Sequence, residues 1–195
     1  MFDTNYQKCD KFFPHDRFME ITVLKLIPDF VVPNHFTLIR FILTPLVGYL
    51  MFYQHYTIAL LAFLLVAFTD TIDGSLARTR GQITEWGKIY DPLADKILIS
   101  CAVFVLVLRH IGIWTAGLII GLEIAIISVA WVRKRRGAVI QANVWGKIKM
   151  LLQVLGVVIL LLALVFSISQ FLPFASGALY LAIAFAVVSL LSYGI

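Results

Sequence analysis

Four aspartates stand at fixed intervals in otherwise apolar sequence: Asp70, Asp73, Asp91 and Asp95. With their neighbours they read D-x-x-D-G-x-x-A-R, eight residues, then G-x-x-x-D-x-x-x-D, the small and basic positions being Gly74, Ala77, Arg78 and Gly87. Residues three or four apart share a helix face, so Asp70, Asp73 and Ala77 line one side of one helix while Asp91 and Asp95 line one side of the next. Carboxylates this close cannot all stay ionised alone. Hard divalent cations with oxygen ligands are the usual counter-charge, and two of them match four ionised aspartates. A phosphate-bearing substrate would supply the remaining oxygen ligands, so the chemistry indicated is that of a phosphate held on paired metals.

Small residues at Gly74 and Ala77 leave room beside the acidic pair for a flat or bulky group, and Arg78 offers a bidentate donor suited to phosphate. Taken singly, each has a plainer role, because Gly and Ala let membrane helices pack closely and a terminal Arg snorkels to the headgroups. The four aspartates weigh against that. Each costs roughly 2.5 to 3.5 kcal/mol at the centre of a membrane helix, together about 10 kcal/mol, and intramembrane ionisable groups are functional by default.

The elements that must position them are membrane helices. The chain of 195 residues is 61% apolar and 14% charged, with a mean hydropathy of +0.94, outside the range of soluble globular domains. Stretches long enough to cross about 30 Å of hydrocarbon, at about 20 residues each, run over 34 to 54, 57 to 78, 88 to 108, 112 to 133, 144 to 167 and 173 to 193. The fold class expected is an all-α integral membrane protein of six transmembrane helices, a single domain over 1–195. Residues 1–31 would form a cytoplasmic tail and surface helix, and 32–195 the membrane bundle. The opening residues mix both charge signs without an early apolar core, unlike a signal peptide. From Asp16 to Pro28 the residues Phe18, Ile21, Leu24 and Ile27 share one helical face, which predicts an amphipathic helix lying on the membrane surface, the alternative being a disordered tail.

Depth and orientation follow from counting. At 1.5 Å per residue, Asp70 and Asp95 each lie roughly 20 Å from the outer surface, in the cytoplasmic third of the bilayer. Of the sixteen basic residues, all but Arg109 fall on the side that holds the amino terminus, so both termini and the site are expected to face the cytoplasm of a cell inner membrane, plasma membrane or equivalent. The net charge of +5 is then a one-sided surface toward anionic lipid and no sign of nucleic-acid binding. Cys9 and Cys101 indicate no disulfide framework, the four histidines show no metal-ligand spacing, and no P-loop, G-x-G-x-x-G or G-x-S-x-G occurs.

The run from Asp70 to Asp95 resembles the signature of the CDP-alcohol phosphatidyltransferases at every defined position. The six spans, the surface helix and the entry Val32-Pro33-Asn34-His35-Phe36-Thr37-Leu38-Ile39-Arg40 also resemble that family. The resemblance implies two Mg²⁺ or Mn²⁺ ions on the diphosphate of a CDP-linked lipid such as CDP-diacylglycerol, attack by an alcohol on the lipid-side phosphorus, and departure of CMP. Asp70 and Asp91 would bridge the ions, Asp73 complete one and Asp95 the other, with Asp95 also the general base. Gly74, Ala77, Arg78, Thr84, Pro33 and Asn34 would hold the cytidine and phosphates, and the chain would be a homodimer among membrane lipids.

Trp145-Gly146-Lys147-Ile148-Lys149, with Pro33-Asn34 and Asp91 to Lys96, most resembles the phosphatidylglycerophosphate synthase branch, which implies sn-glycerol 3-phosphate as the acceptor. Inositol phosphate, serine and phosphatidylglycerol stay open as acceptors. Arg133 to Arg136, with Lys147 and Lys149, would bind the acceptor phosphate or simply obey the positive-inside rule, Arg133 and Lys147 being the acceptor candidates. One departure is that Leu122 precedes Glu123 where that branch commonly carries Arg. Glu123 would orient a basic partner such as Arg40 or Lys147, or be protonated. A divalent-cation transporter is the reading of another class. Transport needs polar groups across both halves of the membrane, and here the outer halves of the spans carry no acidic residue.

Overall fold

In the computed structural model, residues 21–22, 24–28, 32–82, 84–135 and 144–194 are described. Six long helices follow in order: α1 (Pro33–Phe52), α2 (Tyr56–Thr79), α3 (Glu85–His110), α4 (Ile113–Arg135), α5 (Val144–Phe166) and α6 (Phe171–Gly194). No strand occurs among the described residues. All but α3 are long and apolar enough to cross a membrane, which makes the chain an integral membrane protein. Every eighteen-residue window of α3 includes both Asp95 and Lys96 and at least one further charge. The residues that suggest chemistry thus lower the apolar character of the helix that carries them.

The described residues divide into two compact units, one holding those up to 49 and those from 61 to 98, the other those from 50 to 60 and those from 99 onward. In the first, α2 ends in a left-handed turn at Gly81, φ 63°. There Gln82 N–H donates to the Ala77 carbonyl at 2.9 Å and Arg80 N–H to that of Leu76 at 3.0 Å, a cap that a residue with a β-carbon would strain. Of the surface helix expected over 16–28, only 21–22 and 24–28 lie among the described residues. Ile21 and Thr22 are helical and Leu24–Leu26 form a 3₁₀ turn. Leu24 is buried against Leu76, with Ile27, Phe36 and Ile72 around it, so this part of the apolar face meets protein. Arg80 fastens it, donating to the carbonyls of Ile27 at 2.7 Å and Pro28 at 3.3 Å.

In the second unit α5 and α4 both pack on α6. The face that α6 buries, Ala175, Leu179, Ala182, Ala186 and Ser189, recurs at helical spacing and is mostly small, which lets backbones approach. Closest approach is at Gly156. A β-carbon there would stand 2.7 Å from Leu179 Cγ and 3.3 Å from the Ala175 carbonyl oxygen. Gly156→Ala is expected to destabilise by about 1–3 kcal/mol, as overpacking of a close-packed interior does. A lowered unfolding midpoint in detergent checks it, and an unchanged midpoint would mean that the helices part there without loss. Phe174, Tyr180, Leu181 and Leu191 stay exposed on the other faces of α6, where lipid solvates them. Tyr56 Oη and His110 Nε2 share a 2.9 Å hydrogen bond, and Arg109 donates to the Phe52 carbonyl at 2.9 Å.

Candidate active site

Pro33 opens α1, where its missing N–H leaves no further donor unmet. Asn34, Thr37, Arg40 and Thr44 follow at spacings of three or four and are all buried. This polar stripe meets the aspartates. Arg40 is fully buried, and its Nη1 donates to Asp95 Oδ1 at 2.7 Å and lies 3.3 Å from Asp70 Oδ1. Its Nη2 donates to Asp73 Oδ2 at 2.8 Å. Thr37 Oγ1 donates to Asp91 Oδ1 at 2.5 Å. All four carboxylates therefore meet side chains three residues apart on α1, and the cluster is built by three helices where the spacing alone pointed to two. The side chains grade from Asp73, 3% exposed, through Asp95 at 17% to Asp70 at 45%. Asp70 stands at the opening.

Beside the cluster lies a cavity of about 180 Å³ lined by Pro33, Asn34, Gly74, Ala77, Arg78, Gln82, Thr84, Gly87 and Asp91. It brings together the six residues expected to hold a nucleotide and one of the four aspartates. Thr84 organises the wall from two sides. As the N-cap of α3 its Oγ1 accepts from Gly87 N–H at 3.0 Å, and its hydroxyl donates to Asn34 Oδ1 at 3.0 Å. At Gly87 a β-carbon would fall 3.1 to 3.3 Å from Thr84 Oγ1, Asp91 Oδ2 and Asn34 Oδ1, so a side chain at that position would crowd all three. At Gly74 the atoms nearest a β-carbon would be those of the Arg78 guanidinium, from 3.3 Å. Asn34 Nδ2 and Gln82 Oε1 are buried without a hydrogen-bond partner among the described residues. A donor and an acceptor thus remain unmet on one wall, a costly arrangement unless something else satisfies them.

Gln82, Thr37 and Arg40 had no part in the site expected from sequence. The sequence suggests Arg40 or Lys147 as a partner of Glu123, and the structure corrects both pairings. Glu123 Oε1 takes a close ion pair from Lys149 and a 3.0 Å hydrogen bond from Gln153 Nε2, all three residues being buried in the second unit. Lys147, the other partner offered, is exposed in the first turn of α5, and Arg133 is half-buried in the last turn of α4. Glu123 Oε2 has no hydrogen-bond partner among the described residues.

Whether paired divalent ions suit the first unit is decided by the donor set. Among the described residues no three Asp, Glu, His or Cys side chains stand grouped as ligands around one point. The Arg40 guanidinium stands among them instead. It uses one oxygen from each of three carboxylates, and Thr37 takes one oxygen of Asp91, so each carboxylate keeps a further oxygen that these bonds do not use. One guanidinium against four carboxylates leaves a large negative excess in a weakly polar surrounding, which further cations relieve. An all-carboxylate oxygen set suits hard divalent ions.

Comparison with known proteins agrees with this geometry. The family described as CDP-alcohol phosphatidyltransferase matches residues 30–188. The chain is 36% identical over 178 residues to a CDP-diacylglycerol--glycerol-3-phosphate 3-phosphatidyltransferase of Bacillus subtilis (strain 168), covering 82% of this chain and 91% of that protein. It is also 36% identical over 141 residues to the Pseudomonas fluorescens protein of the same name, covering 67% and 71%. A Schizosaccharomyces pombe fusion of cardiolipin synthase (CMP-forming) and a mitochondrial hydrolase is 37% identical over 100 residues, 51% of this chain and 17% of that one. With the match running over most of its length and through the helices that build the cavity, this chain belongs to the CDP-alcohol phosphatidyltransferase family.

Proposed function

We propose that this chain transfers the phosphatidyl group of CDP-diacylglycerol to sn-glycerol 3-phosphate, with release of CMP, at a cytoplasm-facing site in the inner third of the membrane. The observation that carries it is the junction of the carboxylate cluster with the cavity on α1, α2 and α3, at Asp91, which lines the one and belongs to the other. Gly74 and Ala77 leave the space for the cytidine. The unmet Asn34 amide N–H and Gln82 carbonyl complement the acceptor and donor atoms on the edge of a cytosine ring. Arg78, which arches over Gly74, takes a phosphate.

Held by Asp70, Asp73, Asp91 and Asp95, two Mg²⁺ or Mn²⁺ ions would polarise the phosphoryl oxygens and offset charge on the departing phosphate. Asp95 accepts the proton of the acceptor hydroxyl as its oxygen bonds to the lipid-side phosphorus. The bond from that phosphorus to the CMP oxygen breaks, and the electron pair leaves with CMP. In-line placement of the hydroxyl supplies much of the rate. Because the diacyl tails stay in the bilayer, all six helices including α3 cross it, with the Lys- and Arg-rich side inward.

Glycerol 3-phosphate leads among acceptors because the Bacillus subtilis relative aligns over 82% of this chain, whereas the cardiolipin synthase likeness covers 51% of it. Arg133 and Lys147 are the candidates for its phosphate. Assembly as a homodimer rests on the family resemblance. Family membership removes the support for a cation transporter.

Incubating purified protein with CDP-diacylglycerol and each acceptor, and weighing the lipid product, tests the proposal. Phosphatidylglycerophosphate with glycerol 3-phosphate alone is the expected result, and another lipid product would reassign the acceptor. Gly74→Leu is expected to weaken CDP binding roughly tenfold or more by filling the cavity, as overpacking of a fitted site does. Unchanged affinity in a calorimetric titration would move the nucleotide elsewhere.

A further inference from the structure

We propose that Arg40 limits the carboxylate cluster to one tightly held divalent ion until an anionic diphosphate enters, so that the second ion is taken up together with the substrate. The inference rests on the two-ion reading above and concerns what this chain's own charge does to it. Arg40 has no exposed surface, and its guanidinium touches Asp70, Asp73 and Asp95 at 2.7 to 3.3 Å. Arginine keeps its proton in proteins. Its positive charge is therefore a fixed part of the cluster.

The balance of charge then decides the ion count. Four ionised carboxylates are matched by two divalent ions only where no other cation is present. With Arg40 in place, one divalent ion still leaves the cluster slightly negative. Two ions bring it past neutrality, and the excess positive charge lies among buried groups, where uncompensated charge is most costly. A CDP-linked lipid brings two ionised phosphates to the cavity that Asp91 lines. With these present the second ion again enters a negative environment. Arg40 thereby couples occupancy of the second metal position to occupancy of the cavity. The coupling is reciprocal, so the second ion also strengthens diphosphate binding.

Equilibrium dialysis of the purified full chain against Mn²⁺, with CDP absent or present at equal concentration on both sides, reads the stoichiometry without turnover. Wild type is expected to bind one Mn²⁺ tightly alone and two with CDP, the second site gaining roughly tenfold or more in affinity from the added charge. Arg40→Gln is expected to bind two without CDP, and Arg40→Lys, which keeps the charge, to follow wild type. Should Arg40→Gln fail to fold, wild type and Arg40→Lys still decide. Two ions of similar affinity on wild type without CDP would overturn the proposal and leave the two-ion reading intact. So would an Arg40→Gln protein that counts ions as wild type does. No bound Mn²⁺ on wild type in either condition would overturn the two-ion reading itself, and the coupling with it.

Discussion

Asp95→Asn is expected to lower kcat by about 10²- to 10⁴-fold, the usual contribution of a positioned general base, while CDP affinity falls far less, since Asp70, Asp73 and Asp91 remain to hold the ions. The substitution is nearly isosteric. Asn keeps an Oδ1 to accept the 2.7 Å bond from Arg40, so the packing of α1 on α3 survives, but it cannot take a proton. Asp73→Asn provides the contrast. Asp73 is 3% exposed and is proposed to hold an ion without serving as the base, so its loss is expected to weaken Mn²⁺ and CDP binding together. Product formation by mass and CDP binding by calorimetry separate the two cases. Residual turnover with lost CDP binding in Asp95→Asn would reverse the assignment.

Lys149→Met is expected to destabilise the second unit by about 3–5 kcal/mol, because it leaves the Glu123 carboxylate buried without its cation. Gln153 would still donate to Oε1 at 3.0 Å, but Oε2 already has no partner, so little remains to hold the charge. The double variant Glu123→Leu/Lys149→Met removes both ions and is expected to recover most of the loss. Unfolding midpoints in detergent test this, and a single variant as stable as wild type would show that the pair contributes nothing net. Catalytic assay of a folded double variant also asks whether Glu123 has any part in the chemistry.

Six helices, the grouping of Asp70 with Asp73 and the space left by Gly74 and Ala77 were legible in the sequence because these features depend on spacing within one helix. Each of the six expected spans falls within a few residues of an observed helix. What was hidden depends on register between helices. Arg40 belongs to a stripe with Asn34, Thr37 and Thr44 at helical spacing, which marks a buried polar face, yet spacing cannot say which acid that face meets. Lys147 and Lys149 show the same limit. Two residues apart on a helix, they point to nearly opposite sides, one exposed and the other buried. Their flanks, Gly146, Ile148 and Met150, are equally compatible with lipid or protein, so the sequence carries no mark of which lysine turns inward. Leu24 and Ile27 looked lipid-facing for a related reason, since a hydrocarbon tail and the side chains of Leu76, Phe36 and Ile72 make the same demand on an apolar face.

Arg80 joins the segment 24–28 and the rim of the cavity in one mechanical path. Its two bonds to the Ile27 and Pro28 carbonyls start from the short connection that also carries Gln82 and Thr84. Lateral tension applied upstream, by a crowded headgroup layer or by a bulky fusion partner, would be delivered to the rim of the cavity proposed to hold the nucleotide. The consequence is practical: affinity tags belong at the carboxyl end, and an enzyme tethered through its amino end should be judged by its nucleotide grip before its turnover.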